Sequence, residues 1–219
     1  MGGPVVGVAL RKPLHDPQID DLDDWLRDVG AVSNTVRDPN GGWFSGIATW
    51  DLAITDGSAI GMEPISAAEL VHICTVIVKV GATRDASGRV YETDEDSVAQ
   101  WVAQVGFFPD QEIWLSAMCN SPINHRILGH MALGLAERYD GILNLSGAWY
   151  PPIDLEWLSE RDPVNGWAKV GATPFVYQGP GEIYEIHYTT VRGTHWYSNL
   201  ADIEAFRFGL QREYFRLIK

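Results

Sequence analysis

The sequence predicts an α+β fold, a single domain over residues 1–219 with a mostly antiparallel or mixed sheet covered by helices. Three observations carry this. The stretch from Glu112 to Gly147, EIWLSAMCNSPINHRILGHMALGLAERYDGILNLSG, reads as strand, helix, strand. Other period-2 and β-branched runs are separated by hairpin-like turns as well as by helices, which favours antiparallel pairing. Finally, 219 residues that are 46% hydrophobic and 21% charged can bury one large core, and no linker or internal repeat divides them.

Taken in order, Val5 to Leu10 forms a first strand. A helix follows from Pro17 to about Val29 with Asp16 as its cap, because Ile19, Leu22, Leu26 and Val29 recur at spacings of three and four. The rest of that helix is acidic. Asp20, Asp24 and Asp28 lie four apart, so like charges share one row and oppose the helix modestly; Asp21 adds to the cluster, and only Asp23 has a helpful partner, Arg27. The helix dipole accounts for the acids nearest its start.

After the turn Asp38-Pro39-Asn40-Gly41-Gly42, the run WFSGIATWDLAI alternates and forms a hairpin with a strand beginning near Val32. Pro64 to Ile73 reads as a short helix and Thr75 to Val80 as a central strand. Arg84 to Glu92 is a loop or hairpin tip. Thr93 then caps a helix carrying Val98, Trp101, Val102 and Val105, with Asp94, Glu95 and Asp96 in its first turn.

In the central unit, Ile113, Leu115, Ala117 and Cys119 alternate with Trp114, Ser116 and Met118. Asn120 or Ser121 caps a helix whose first position is Pro122, and Asp140-Gly141 stops it before a strand at Ile142. Beyond Gly147 comes a long, partly irregular connection carrying Trp149, Tyr150 and Trp157. Trp167 to Tyr177 and Glu182 to Trp196 read as an antiparallel pair across Gly179-Pro180-Gly181. Asn199 caps a last helix with Leu200, Ile203 and Phe206 inward, and Tyr214, Phe215, Leu217 and Ile218 dock the C-terminus.

Net charge restricts the partners. At −13, with a pI of about 4.7, the chain repels polyanions such as DNA and RNA and suits association with a basic protein. No run approaches the roughly 18 apolar residues of a membrane span, and the start MGGPVVGVALRKPL lacks the plan of a signal peptide, so a cytoplasmic protein is expected. Cys74 and Cys119 form no CxxC, and a disulfide is not expected. There is no GxxxxGK[ST], no GxGxxG after a strand, no HExxH and no zinc spacing, so neither cofactor nor metal is expected.

Three constellations remain. Cys119, where a strand hands over to a helix, has Asn120 beside it and His125 in the first turns, an arrangement that could supply nucleophile, orienting group and base. The same Cys among Ile113, Leu115 and Ala117 also reads as a small core residue. Glu185 and His187 share a strand face, with His195 later in the run. They read as an acid–base or metal pair, or as a solvated face paired with Lys169. The third is a binding surface: Asp20, Asp21, Asp24 and Asp28 supply charge, while Trp149, Tyr150 and Trp157 supply aromatic anchors.

The segments CNSPINHRILGHMALGLAERYDGILNLSGAWYPP and YEIHYTTVRGTHWYSN, with the ending NLADIEAFRFGLQREYFRLIK, resemble small acidic bacterial proteins of the immunity type, encoded with secreted or polymorphic toxins. The likeness covers roughly the C-terminal half and, more loosely, the first strand and helix. It rests on scaffold residues and transfers no catalytic residue. It implies a single-domain α/β protein, not an enzyme, that binds a cognate toxin with a basic groove and occludes it in the producing cell's cytoplasm. The alternative from the residues themselves is a cysteine-dependent hydrolase or transferase using Cys119 and His125.

Overall fold

Alternating apolar runs along the chain become the strands of one sheet, and the helical stripes close over it. The computed structural model describes residues 3–38, 40–41, 46–91, 94–145, 179–189, 195–212 and 215–217. Within them lie β1 (Val5–Leu10), α1 (Asp16–Val29), β2 (Ala31–Arg37), β3 (Ala48–Ala53), α2 (Ala67–Leu70), β4 (Val76–Ala82) and α3 (Glu95–Val105). There follow β5 (Gln111–Ala117), α4 (Pro122–Tyr139), β6 (Gly141–Asn144), β7 (Ile183–Thr189), β8 (His195–Ala201) and α5 (Ile203–Leu210). The fold is α+β, as the sequence predicts.

The eight strands among the described residues run in the order β2-β3-β4-β5-β1-β6-β8-β7, and every neighbouring pair is antiparallel. The strand–helix–strand unit therefore does not pair its own strands. β5 and β6 run parallel to each other on either side of β1, and α4 carries the chain over β1 between them. α1 likewise links β1 to the far edge strand β2.

Period-2 burial sorts side chains onto two faces. Val6, Val8, Trp50, Leu52, Val76, Val78, Ile113 and Leu115 point into the main core, where they meet Leu22 and Leu26 of α1, Ile127, Leu128, Met131 and Leu135 of α4, and Phe206 of α5. A smaller cluster of Ala9, Trp101, Ile142, Ile186 and Leu200 lies on the opposite face under α3.

The helix caps depart from the sequence reading by small steps with clear causes. Asp16 is the first residue of α1, and His15 is the cap, because Gln18 reaches back to accept the His15 N–H at 3.0 Å. For α3 the cap is Asp94, which accepts the Ser97 N–H at 2.7 Å; the expected cap Thr93 lies outside the described residues. α5 is capped by Asp202, which accepts the Ala205 N–H at 2.8 Å, whereas Asn199 is a buried member of β8. Between Asn120 and Ser121, Ser121 is the cap of α4. Asp140 ends α4 with φ 51°, a left-handed conformation that aspartate tolerates. α2 is shorter than the span Pro64 to Ile73 suggested.

The run Glu182 to Trp196 is not one strand. It divides into β7 and the start of β8, which form a hairpin in register from Ile183↔Ala201 to Thr189↔His195. The proposed partner, Trp167 to Tyr177, lies outside the described residues. The outer edge of β7 is covered by side chains of α3: Gln100 Nε2 donates to His187 O and Gln100 Oε1 accepts from His187 N, while Gln104 Nε2 donates to Glu185 O. Among the described residues, the Gln100 amide thus takes the place of a neighbouring strand at His187. The other edge, β2, is largely exposed and carries an irregularity between Val32 and Asn34.

Candidate functional site

The acidic helix was expected to be a row of uncompensated charges, and the tertiary structure corrects this. Arg37 Nη1 of β2 lies 2.6 Å from Asp20 Oδ1. Arg138, near the end of α4, grips Asp21 with two bonds of 2.8 and 2.5 Å, and the Tyr139 hydroxyl donates to the same carboxylate at 2.9 Å. The Arg138 hydrogen bond holds the Asp21 carboxyl below the ordinary carboxylate range. Burial, followed by Asp21 itself, pushes the Tyr139 phenol upward. Asp23 keeps Arg27 at 3.0 Å and also accepts the indole N–H of the buried Trp50 at 2.6 Å.

Two of the four candidate aspartates are therefore tied to the fold. Asp24 and Asp28 are exposed, with no hydrogen-bond or ion-pair partner among the described residues. They are the part of the helix left to meet something else. Trp149, Tyr150 and Trp157 lie outside the described residues.

Sequence reasoning missed two exposed apolar residues at one end of the sheet. Val71 is 77% and Met118 72% exposed, on the connections that precede β4 and follow β5. Because β2 and β4 are both antiparallel to β3, their starts share one end of the sheet. Asp28, just before β2, and Val71, just before β4, stand at that end. No sequence signal could have marked these residues, since a valine or methionine is ordinarily buried.

The cysteine constellation is rearranged more thoroughly. Cys74 and Cys119 are joined in a disulfide with Cα atoms 5.9 Å apart, against the expectation from sequence. The β4–β5 ladder explains it: the pair Val76↔Ala117, continued two residues further, brings residue 74 opposite residue 119. Cys119 is half-buried and lies beyond the strand end.

His125 and Asn120 do meet, with His125 Nε2 2.7 Å from Asn120 Oδ1. The other ring nitrogen, Nδ1, accepts the Leu217 N–H at 3.0 Å. An acceptor at Nδ1 requires the proton on Nε2, so the imidazole is neutral and both nitrogens are engaged. Burial first, and then the nearby Arg216, lower its pKa to about 4. With the sulfur of Cys119 bonded to Cys74 and the lone pair of His125 occupied, this geometry offers no base for a thiol. His125 instead pins the C-terminal residues to the start of α4.

Glu185 and His187 do share a face of β7, and His187 Nε2 lies 2.9 Å from Glu185 Oε1, both exposed. The side chain of His195 and all of Lys169 lie outside the described residues. Among the described residues, no three His, Cys, Asp or Glu side chains come together as metal ligands. No helix among them is long and apolar enough to cross a membrane.

The chain belongs to a protein family described as a family of unknown function (DUF6368), which matches residues 2–219. No curated protein and no solved structure matches it.

Proposed function

We propose that the protein is an immunity-type inhibitor that binds a basic cognate toxin and occludes its active site. The observation that carries this reading is the exposed, uncompensated pair Asp24 and Asp28 on a chain of net charge −13. Unpaired carboxylates on a rigid helix steer a cationic partner into an encounter without cost to the fold. The exposed apolar Val71 and Met118 at the same end of the sheet supply surface that excludes water once the partner is seated.

The place of action in this reading is the cytoplasm of the producing cell. A reducing compartment would hold Cys74 and Cys119 as thiols. Their loops stay together there because Asn124 Oδ1 accepts the Cys74 N–H at 3.1 Å and Asn124 Nδ2 donates to His72 O at 2.9 Å.

The test is to look for a basic, toxin-like protein encoded beside the chain and to measure its association. Wild type and an Asp24→Lys/Asp28→Lys variant are compared at low and high salt. Slower association of the variant, with a weaker salt dependence, is expected. Neutralisation and association rates identical for the two proteins at both salt concentrations would remove this surface from the mechanism.

A further inference from the structure

Two glycines interrupt α4, and packing explains only one. A Cβ on Gly129 would lie 2.6 Å from Leu210 Cδ1 and 2.8 Å from Phe215 Cε1, so nothing larger fits without moving the core. At Gly134 the nearest atom would be Trp25 Cζ2 at 3.6 Å, an ordinary contact. Alanine fits there and would favour the helix by about 1 kcal/mol. What glycine provides at this position is open space beside an indole ring.

That space belongs to an open cleft of about 440 Å³, a size suited to a small molecule. Trp25 of α1 and Gly134 line it, together with His130 and Glu137 of α4, Arg207 of α5 and Gln211 just beyond it. His130 Nδ1 lies 3.2 Å from Ile60 O, and a carbonyl only accepts, so Nδ1 carries the hydrogen and Nε2 keeps a lone pair. Burial, and then Arg126, lower the His130 pKa, which keeps the ring neutral at pH 7. Glu137 and Arg207 pair at 2.5 Å and cancel each other's charge, while further carboxylate lone pairs and guanidinium N–H groups stay available.

The cleft is therefore uncharged in sum, lined with both donors and acceptors and walled by an aromatic ring. We propose that it binds an uncharged, planar heteroaromatic ring with adjacent hydrogen-bond donors and acceptors, a nucleobase or its nucleoside, lying beside Trp25 over Gly134. Stacking supplies the apolar contact, and His130, the Glu137–Arg207 pair and Gln211 supply the polar edge. Phosphorylated forms are disfavoured, since no cation in the cleft is unpaired and the net charge of −13 repels anions. This site is independent of the toxin-binding reading.

Saturation-transfer NMR with adenosine, guanosine, cytidine, uridine and their monophosphates tests the proposal on wild type and Gly134→Leu. At least one nucleoside should show transfer at millimolar concentration, bind about tenfold or more weakly to a folded Gly134→Leu variant, and lose affinity as its monophosphate. Gly134→Ala and Gln211→Ala, which leave the helix packing intact, give the same reading if the leucine variant does not fold. No transfer from any nucleoside, binding undiminished by all three substitutions, or preference for the monophosphate would each overturn it.

Discussion

Cys74 and Cys119 are joined across the open end of the β4–β5 ladder, two residues beyond its last registered pair, Val76 and Ala117. The same two connections are held a second time by the buried Asn124, which bonds Cys74 N, His72 O and Ser121 Oγ. The covalent link and the amide act on different states: the disulfide restricts the unfolded chain, whereas Asn124 holds the native one.

Reduction of the wild type should therefore lower its unfolding free energy by about 2–4 kcal/mol while leaving its native amide spectrum nearly unchanged. Cys119→Ala should show the same loss and no further response to reductant. Asn124→Ala should cost about 1 kcal/mol in either redox state, because the half-buried Cys74 N–H loses its acceptor while His72 O keeps the Ser121 hydroxyl at 3.0 Å. Denaturant melts with and without reductant measure all three. A wild type indifferent to reductant would mean that the two sulfurs are not joined.

His125 predicts an acid limb in stability. Its pKa is lowered to about 4 in the folded protein, against about 6.5 in an unfolded chain. Between those values the unfolded state binds the extra proton, so stability is complete above about pH 6.5 and falls as pH drops toward 4. The loss is of order 1–3 kcal/mol. His125→Gln, if it keeps the bond to Leu217 N, should show a shallower decline over that interval in urea melts. Parallel curves for the two proteins would show that the ring does not stay neutral in the fold.

The aspartates of α1 should separate into two classes. Asp21→Asn loses the charge-assisted grip of Arg138 and should lower the melting temperature by a few degrees, as a loss of about 1 kcal/mol would in a domain of this size. Asp24→Lys/Asp28→Lys breaks nothing and places a cation near the C-terminus of α1, where the helix dipole favours it. Its melting temperature should be unchanged or slightly higher. A large drop in the double variant would reveal a structural role for these carboxylates.

Removing the cover of β7 should expose a strand edge. Gln100→Ala/Gln104→Ala removes the bonds to His187 N and Glu185 O and leaves His187 O to the Ser97 hydroxyl at 2.9 Å. The variant should elute partly as dimer or larger species in size-exclusion chromatography at high concentration, while single surface substitutions elsewhere on α3 do not. Unchanged elution of a folded double variant would show that the edge has other protection.

What the sequence determined by itself is the local order: the alternation of Ile113, Leu115 and Ala117, the stripe Ile19, Leu22, Leu26 and Val29, and the helix between Pro122 and Tyr139 all form where their periods place them. These patterns are legible because burial imposes a period of 2 or 3.6 on neighbouring residues. Caps moved by one residue to His15 and Asp94, where adjacent polar side chains compete for the same N–H groups, and by three to Asp202, because β8 runs on through Ala201. Tertiary structure alone decided the pairing of residues far apart in the chain. Arg138 reaches Asp21, Arg37 reaches Asp20, Cys74 reaches Cys119 and Leu217 reaches His125 only after strand order and register are set. An isolated charge or thiol carries no period, so its sequence position does not encode its partner; the fold turned two aspartates into structural ties and left Asp24 and Asp28 facing outward.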